Sequence, residues 1–376
     1  MATGSAKDLC RVALAGGAIL ALACGHTDPF SSSPYGTTQP FDPTPPVRLT
    51  LNEGPDRGAS WLPDGSGILY SSQQNGRRDD DVCLAELPPT GGSQLRLVCD
   101  LSPLDGLSKN DIESPVVGTD GRLAFVNAIG DVGAVSPNRV ALVVAAGLDP
   151  SAGAEVQPIP YTIPGEPRHS AVTDLRWQGD HTLLFVGGTS TFRVPCLGCQ
   201  ADTIFTGLKA VMLDLTSSAG PVAVPGTELA SGVSPGLSTD EVLYTLGGDT
   251  RVFRRVLSTG EVSVAYDFGS AGIARDVHVA GGHLTAIVGG RVAFSVDPEL
   301  GPTQWDSGGI VHVVDLASGA DVALSGPGMF RRPVLAPTGD HVVAEGYPLI
   351  VISHLGSPVK DTLVGRAGDL YLFGLP

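Results

Sequence analysis

The sequence predicts an all-β protein built from six copies of one four-stranded antiparallel sheet. Three observations carry that expectation. Glycine (50) and proline (30) together exceed a fifth of the 376 residues, yet 42% of the chain is hydrophobic. Such a mixture describes many short apolar strands joined by turns, not a disordered chain. No long segment places apolar residues at the i, i+3, i+4, i+7 spacing of an amphipathic helix. Finally, one short pattern recurs along the chain, the signature of a repeat architecture.

The pattern is clearest in SWLPDGSGILYSS, residues 60–72: a first strand, a Pro-Asp-Gly turn and an apolar strand ending in tyrosine and small polar residues. Further copies follow at SPVVGTDGRLAFVNA (114–128), VTDLRWQGDHTLLFVGG (172–188), SGVSPGLSTDEVLYTLGG (231–248), RDVHVAGGHLTAIVGG (275–290) and RRPVLAPTGDHVVAEGY (331–347). Their turns fall near Gly65, Gly121, Gly179, Thr239, Gly281 and Gly339, with one short step before Gly281. Between copies lie further strand pairs. DVCLAEL and SQLRLVCDL alternate apolar and polar residues about the turn PPTGG, a hairpin signature. AVMLDL with PVAVPG, RVFRRVLSTGEVSVAYDF, and IVHVVDLASGADVALSG repeat the scheme. Each unit is thus four strands in about 55 residues, and six such sheets set radially make a six-bladed β-propeller. The two ends of the chain complement each other. PVRLTLN (46–52) is a spare outer strand, and the sixth unit stops at GDLYLFGL (368–375), one strand short. The last blade is therefore expected to be closed by the N-terminal strand.

These residues resemble the TolB-like (WD40-like) propeller repeat, whose consensus runs Trp-Ser-Pro-Asp-Gly, an apolar strand, then Asp-Ile-Tyr. Trp61, Pro63, Asp64, Gly65 and Asp81 match in the first unit; Pro337, Gly339, Asp369, Leu370 and Tyr371 match in the last. Units three to five match weakly. The resemblance spans residues 46–376 and implies a fold, not a function. TolB itself carries an α/β domain before its propeller, and only a tether precedes this one.

Lys7 and Arg11 precede the apolar run VALAGGAILALAC (12–24), too short for a comfortable membrane span. It resembles a bacterial lipoprotein signal peptide with LALAC as the lipobox. Residues 1–23 would be removed before Cys24, and Cys24 would carry the lipid. The departure is Ala21, where leucine is usual. An ordinary signal peptide or an N-terminal anchor are the alternatives, and all three export the chain. Residues 24–45 are rich in Pro, Ser and Thr and read as a tether. The expected location is the envelope, on a lipid anchor, facing the periplasm or the cell surface.

Four cysteines remain, in two local pairs: Cys83 with Cys99, and Cys196 with Cys199. An oxidising compartment favours two disulfides. A zinc site made from all four is the rival. The redox reading of CLGC lacks a strand-turn-helix setting.

A net charge of −16 excludes nucleic acid as a natural partner, since phosphate contact needs clustered Lys and Arg. GVSPG (232–236) fits the Gly-x-Ser-x-Gly elbow of hydrolases, and TolB-like propellers also occur ahead of serine peptidases. Ser234, however, falls in a first strand with no helix signal after it. His278 and His283 are placed on adjacent strands of the fifth unit, where some propeller lyases hold a metal; scattered strand histidines are more often structural. RRDDD (77–81) lacks the spacing of a calcium loop. No catalytic residue, metal or cofactor is expected.

The resemblance implies that residues just before each first strand reach the mouth of the central channel. Here these are Asp56, Arg57, Asp111, Glu113, Arg168, His169, Arg275, Arg331 and Arg332. Arginines from four units can grip a carboxylate-bearing peptide or an acidic protein segment; the plain alternative is a solvated rim of paired charges. The expected function is a monomeric, non-enzymatic envelope protein that binds a protein or peptide partner at this mouth. The competing class is a propeller enzyme, a carbohydrate lyase or hydrolase, metal-dependent in one form. A purely structural envelope component is the third.

Overall fold

The computed structural model describes residues 46–51, 54–73, 82–99, 112–129, 139–150, 157–160, 171–193, 202–269, 273–279, 291–297, 309–325, 330–346, 349–353, 360–364 and 368–375. After a short first strand β1 (Val47–Arg48), blade 1 is β2 (Asp56–Trp61), β3 (Ile68–Gln73), β4 (Val82–Leu87) and β5 (Arg96–Val98). Blade 2 is β6 (Glu113–Val117), β7 (Leu123–Ile129), β8 (Arg139–Ala145) and β9 (Gln157–Pro160). Blade 3 is β10 (Ala171–Gln178), β11 (Thr182–Arg193), β12 (Asp202–Asp214) and β13 (Val222–Ala223). Blade 4 is β14 (Ala230–Pro235), β15 (Glu241–Leu246), β16 (Arg251–Val256) and β17 (Val262–Asp267). Blade 5 is β18 (Ile273–Val279), β19 (Arg291–Asp297), β20 (Ile310–Asp315) and β21 (Asp321–Ala323). Blade 6 starts with β22 (Phe330–Leu335) and β23 (His341–Gly346). A separate hairpin, β24 (Leu349–Ser353) with β25 (Lys360–Val364), follows before the third strand β26 (Asp369–Gly374).

The first strands β2, β6, β10, β14, β18 and β22 each pack against the first strands of both neighbours, which closes the ring. Strand alternation explains why. Successive side chains point to opposite faces, so each blade offers one apolar face to each neighbour. In blade 1, Leu69 and Leu84 face blade 2 and pack with Leu123, Phe125 and Val143. The alternate residues Ile68, Tyr70 and Ala85 face blade 6 and pack with Val334, Val343 and Leu372. A separate core fills each remaining gap as well: blades 2/3, 3/4, 4/5 and 5/6.

The tryptophan of the repeat sits in such a gap. Trp61 Nε1 donates to the Val334 carbonyl of blade 6 at 3.0 Å, and Trp177 Nε1 donates to the equivalent Val116 carbonyl of blade 2 at 3.3 Å. Each indole buries its body between blades while its one donor is satisfied. The Pro63-Asp64-Gly65 segment is a structural turn. Gly65 has a φ of 73°, Gly65 N donates to the Leu62 carbonyl, and the Asp64 carboxylate accepts from Ser66.

The expected ring closure is present. Val47 pairs with Leu372 and Arg48 with Tyr371. Arg48 reaches Asp369 at 2.7 Å, and Leu49 joins the core between blades 6 and 1. Cys83 and Cys99 form a disulfide with Cα atoms 4.3 Å apart. Cys99 lies one residue past β5 rather than on it.

Two features depart from expectation. The second strand of blade 5 is Arg291–Asp297, not the run 283–290. Two successive apolar runs compete for one place, and the later one wins by pairing Val292 with Val314 and Ala293 with Val313, burying Val292 and Ala293 completely. His283 therefore does not lie on the strand that pairs with His278, and it falls outside the described residues, as do residues 77–81. Two hairpin extensions also went unforeseen. β11 and β12 remain paired from Thr189↔Thr206 to Arg193↔Asp202, beyond the first residue of β10. β24–β25 leaves blade 6 at the same edge, after Gly346.

Candidate functional site: the rim of the first strands

Every first strand is bulged. In blade 1, Arg57 pairs with Ser71 and Ser60 with Leu69, so Gly58 and Ala59 together oppose Tyr70. Blades 2, 3, 5 and 6 repeat this two-against-one step after Glu113, Thr173, Arg275 and Arg331, and blade 4 shifts between Ala230 and Gly232. In blades 1, 2, 3 and 6 the first bulge residue is left-handed: Gly58 (φ 63°), Ser114 (49°), Asp174 (56°) and Arg332 (47°). Such a conformation costs a non-glycine residue about 1–3 kcal/mol and persists only where its surroundings hold it.

Inter-blade hydrogen bonds supply that hold. A bulge turns N–H groups out of the ladder, and the neighbouring blade accepts them. Gly58 N donates to Glu345 Oε1 of blade 6 at 2.6 Å. Ser114 N donates to Ser71 Oγ of blade 1 at 3.1 Å. Val233 N in blade 4 donates to Asp174 Oδ2 of blade 3 at 2.7 Å. A side chain on Gly58 would crowd the next blade, its Cβ lying 3.0 Å from the Ser114 Cα.

Around these bulges the rim is charged. Arg57 pairs with Glu113 across blades 1 and 2 at 3.1 Å, both side chains more than a third exposed. Arg332 lies 3.4 Å from Glu345, whose carboxylate is fully buried. Asp56 is also buried and accepts from Ser72 Oγ at 2.6 Å. Burial, and then the Asp56 carboxylate, push the Tyr70 phenol well above its usual range. In blade 3, Asp174 and Arg176 form a buried pair at 2.6 Å.

Of the rim residues read from the sequence, Asp56, Arg57, Glu113, Arg331 and Arg332 lie at the starts of β2, β6 and β22. Arg275 is on β18, opposite Ser295. Asp111, Arg168 and His169 lie outside the described residues, as do Cys24, Cys196 and Cys199. Asp56 is a buried structural acid rather than a rim contact. Glu345, Asp174 and Arg176 were missed; an acid within an apolar alternation such as HVVAEG was the available signal for Glu345. Ser234 sits inside β14 with no exposure, so it is not on a strand-to-helix elbow. Among the described residues no three His, Cys, Asp or Glu side chains gather as a metal site, and no helix is long and apolar enough to cross a membrane.

No family model and no curated protein matches the chain. Solved structures do. TolB from Acinetobacter baumannii is 15% identical with a TM-score of 0.50; the match covers 81% of this chain and 65% of that one. A gluconolactonase from Xanthomonas campestris is 14% identical with a TM-score of 0.53, over 88% of this chain and 89% of that one. A luciferin-regenerating enzyme is 10% identical with a TM-score of 0.52, over 88% and 96%. One architecture thus serves proteins of different function, and at these identities the likeness is one of fold alone: the chain is a six-bladed β-propeller.

Proposed function

We propose that this chain is a non-enzymatic envelope protein, held by a lipid on Cys24, whose monomeric propeller binds a protein or peptide partner at the rim of its first strands. The supporting observation is the exposed arginine-rich rim, with Arg57 and Arg332 each more than a third exposed where first strands of adjacent blades meet. Guanidinium groups on a rigid strand scaffold suit recognition of carboxylate-bearing segments. The lipobox and the Pro/Ser/Thr-rich tether at 24–45 fit a module displayed at a membrane surface.

Capture from envelope extract with the full chain tests this reading. A partner retained by the parent chain and lost with Arg57→Glu supports it. Failure to retain any partner overturns it, as does a stoichiometric metal on the purified protein that His278→Ala removes. Labelled palmitate should be incorporated, and Cys24→Ser should abolish the label.

A further inference from the structure

The outer strands of the blades are short, with one exception. β1, β5, β9, β13 and β21 run two to four residues, whereas β17 of blade 4 runs six. Natural sheet edges are usually guarded by charge or proline. The run Val262-Ser263-Val264-Ala265 carries neither. Val262 and Val264 are 44% and 49% exposed. They stand opposite Arg255 and Phe253, on the face of blade 4 that turns toward blade 3. Blade 3 leaves them uncovered, since its own outer strand β13 has only two residues. Arg255 lies in the same groove. Among the described residues it makes no ion pair and no hydrogen bond, in a molecule of net charge −16. Its guanidinium sits between two left-handed glycines: a Cβ on Gly226 would lie 3.5 Å from Nη1, and one on Gly260 3.3 Å from Nη2. Burial raises the pKa of the neighbouring Tyr244 phenol, and Arg255 opposes that shift. Glu228 acts on the same phenol but forms no ion pair with Arg255.

We propose that β17 takes the extended C-terminal segment of a protein partner as a fifth strand of blade 4, and that Arg255 holds the segment's terminal carboxylate. Orientation decides the chemistry. A strand added antiparallel to β17 runs from the Asp267 end toward the Val262 end, and Val262 is the residue paired with Arg255. A chain that ends there brings its carboxylate to a guanidinium that has no acid of its own. Alternate side chains of the added strand fall beside Val262 and Val264, so its last and third-last residues are apolar. Edge addition supplies main-chain hydrogen bonds whatever the sequence; the two apolar positions and the carboxylate supply the specificity. This surface is separate from the rim. β17 is the outermost strand of its blade, whereas the rim is built from first strands, so the two readings stand or fall independently.

The test is fluorescence anisotropy with the full chain and the peptide Gly-Ser-Thr-Val-Thr-Val, labelled with fluorescein at its N-terminus, against the same peptide amidated at its C-terminus. The free acid is expected to bind, and the amide about tenfold more weakly. Arg255→Gln should weaken the free acid to the level of the amide and leave the amide unchanged. A residue that only packed the groove would weaken both alike. Arg255→Lys, which keeps the charge, should retain most of the preference for the acid. Val264→Asp should weaken both peptides, and melting curves confirm that each variant is folded. Methylating the backbone nitrogens of the last two peptide residues should abolish binding. Equal affinity for acid and amide overturns the carboxylate assignment. Undiminished binding of the methylated peptide overturns strand addition. Binding that is lost with Arg57→Gln but kept with Arg255→Gln would place the peptide at the rim and sink the β17 site, as would an absence of binding at millimolar peptide.

Discussion

Glu345 shows how a buried charge is held in this ring. It has no exposure, yet it accepts from the Gly58 N–H of blade 1 and lies 3.4 Å from Arg332. Replacing it with leucine leaves the Gly58 donor unsatisfied and removes the counter-charge of Arg332. Glu345→Leu should cost about 1–3 kcal/mol in denaturant unfolding, and Glu345→Gln clearly less. Equal losses would mean that Glu345 acts by volume rather than by accepting. The turn aspartates lie at the other extreme of exposure. Ser66 lowers the Asp64 pKa through its hydroxyl, and Thr338 does the same for Asp340. A folded pKa below the usual 3.8 means that the contribution is fully present above that value. It is lost as pH falls through the lowered folded values. Melting temperature should therefore hold steady above about pH 5 and fall below ~pH 4, with a shallower fall in Asp64→Asn. An identical acid slope in that variant would remove Asp64 from the account.

At the scale of the element, the sequence was most readable where turn chemistry is local. Pro63-Asp64-Gly65 and Gly339 mark tight turns that any alternating strand pair would need, and both are found as turns. The bulges were not readable. Ser114, Asp174 and Arg332 take a left-handed conformation without being glycine; Ser114 and Asp174 are tied there by hydrogen bonds to a neighbouring blade. No local preference encodes such a partner, which lies 43 residues away for Ser114 and 59 for Asp174. The fifth blade failed for a related reason: two adjacent apolar runs satisfied the same pattern, and only pairing with Val313 and Val314 selects between them. The rim was half legible. Arg57 before the first bulge could be found by its place in the repeat, whereas its acid Glu113 becomes a partner only once blades 1 and 2 are side by side. The first outer hairpin carries a more direct prediction. The Cys83–Cys99 disulfide closes a loop of 16 residues between β4 and the end of β5. Changing both cysteines to alanine should lower stability by about 2–4 kcal/mol. A stability within ~0.5 kcal/mol of the parent would show that the β4–β5 pairing alone suffices.

For the whole molecule, the weak point of a ring is where the chain's two ends meet. Five blades are each built from consecutive strands, whereas blade 6 borrows β1 from the N-terminal side. β1 is only two residues long, but its neighbourhood is densely tied. Leu49 N donates to the Leu370 carbonyl, Leu370 N to Thr50 Oγ1, and Asp56 N to the Gly368 carbonyl. Arg48 pairs with Asp369 and donates to the Thr50 carbonyl. Leu49 itself is a core residue between blades 6 and 1. Leu49→Ala should therefore cost about 2–5 kcal/mol, as a buried leucine does elsewhere. Its location decides more than its size. A closed ring shares strain among its gaps, but a break at the closure releases one seam first. Amide hydrogen exchange should then quicken in β26 and at the start of β2, while β11 and β12, in the blade opposite the seam, keep their protection. Leu183→Ala, a cavity of the same chemistry between blades 2 and 3, is the comparison. It should quicken exchange around its own gap and leave the seam intact. If Leu49→Ala instead quickened exchange evenly around all six blades, the closure would not be a separate cooperative unit. The propeller would then open as one body, and the borrowed strand would be an accident of where the chain begins its circuit.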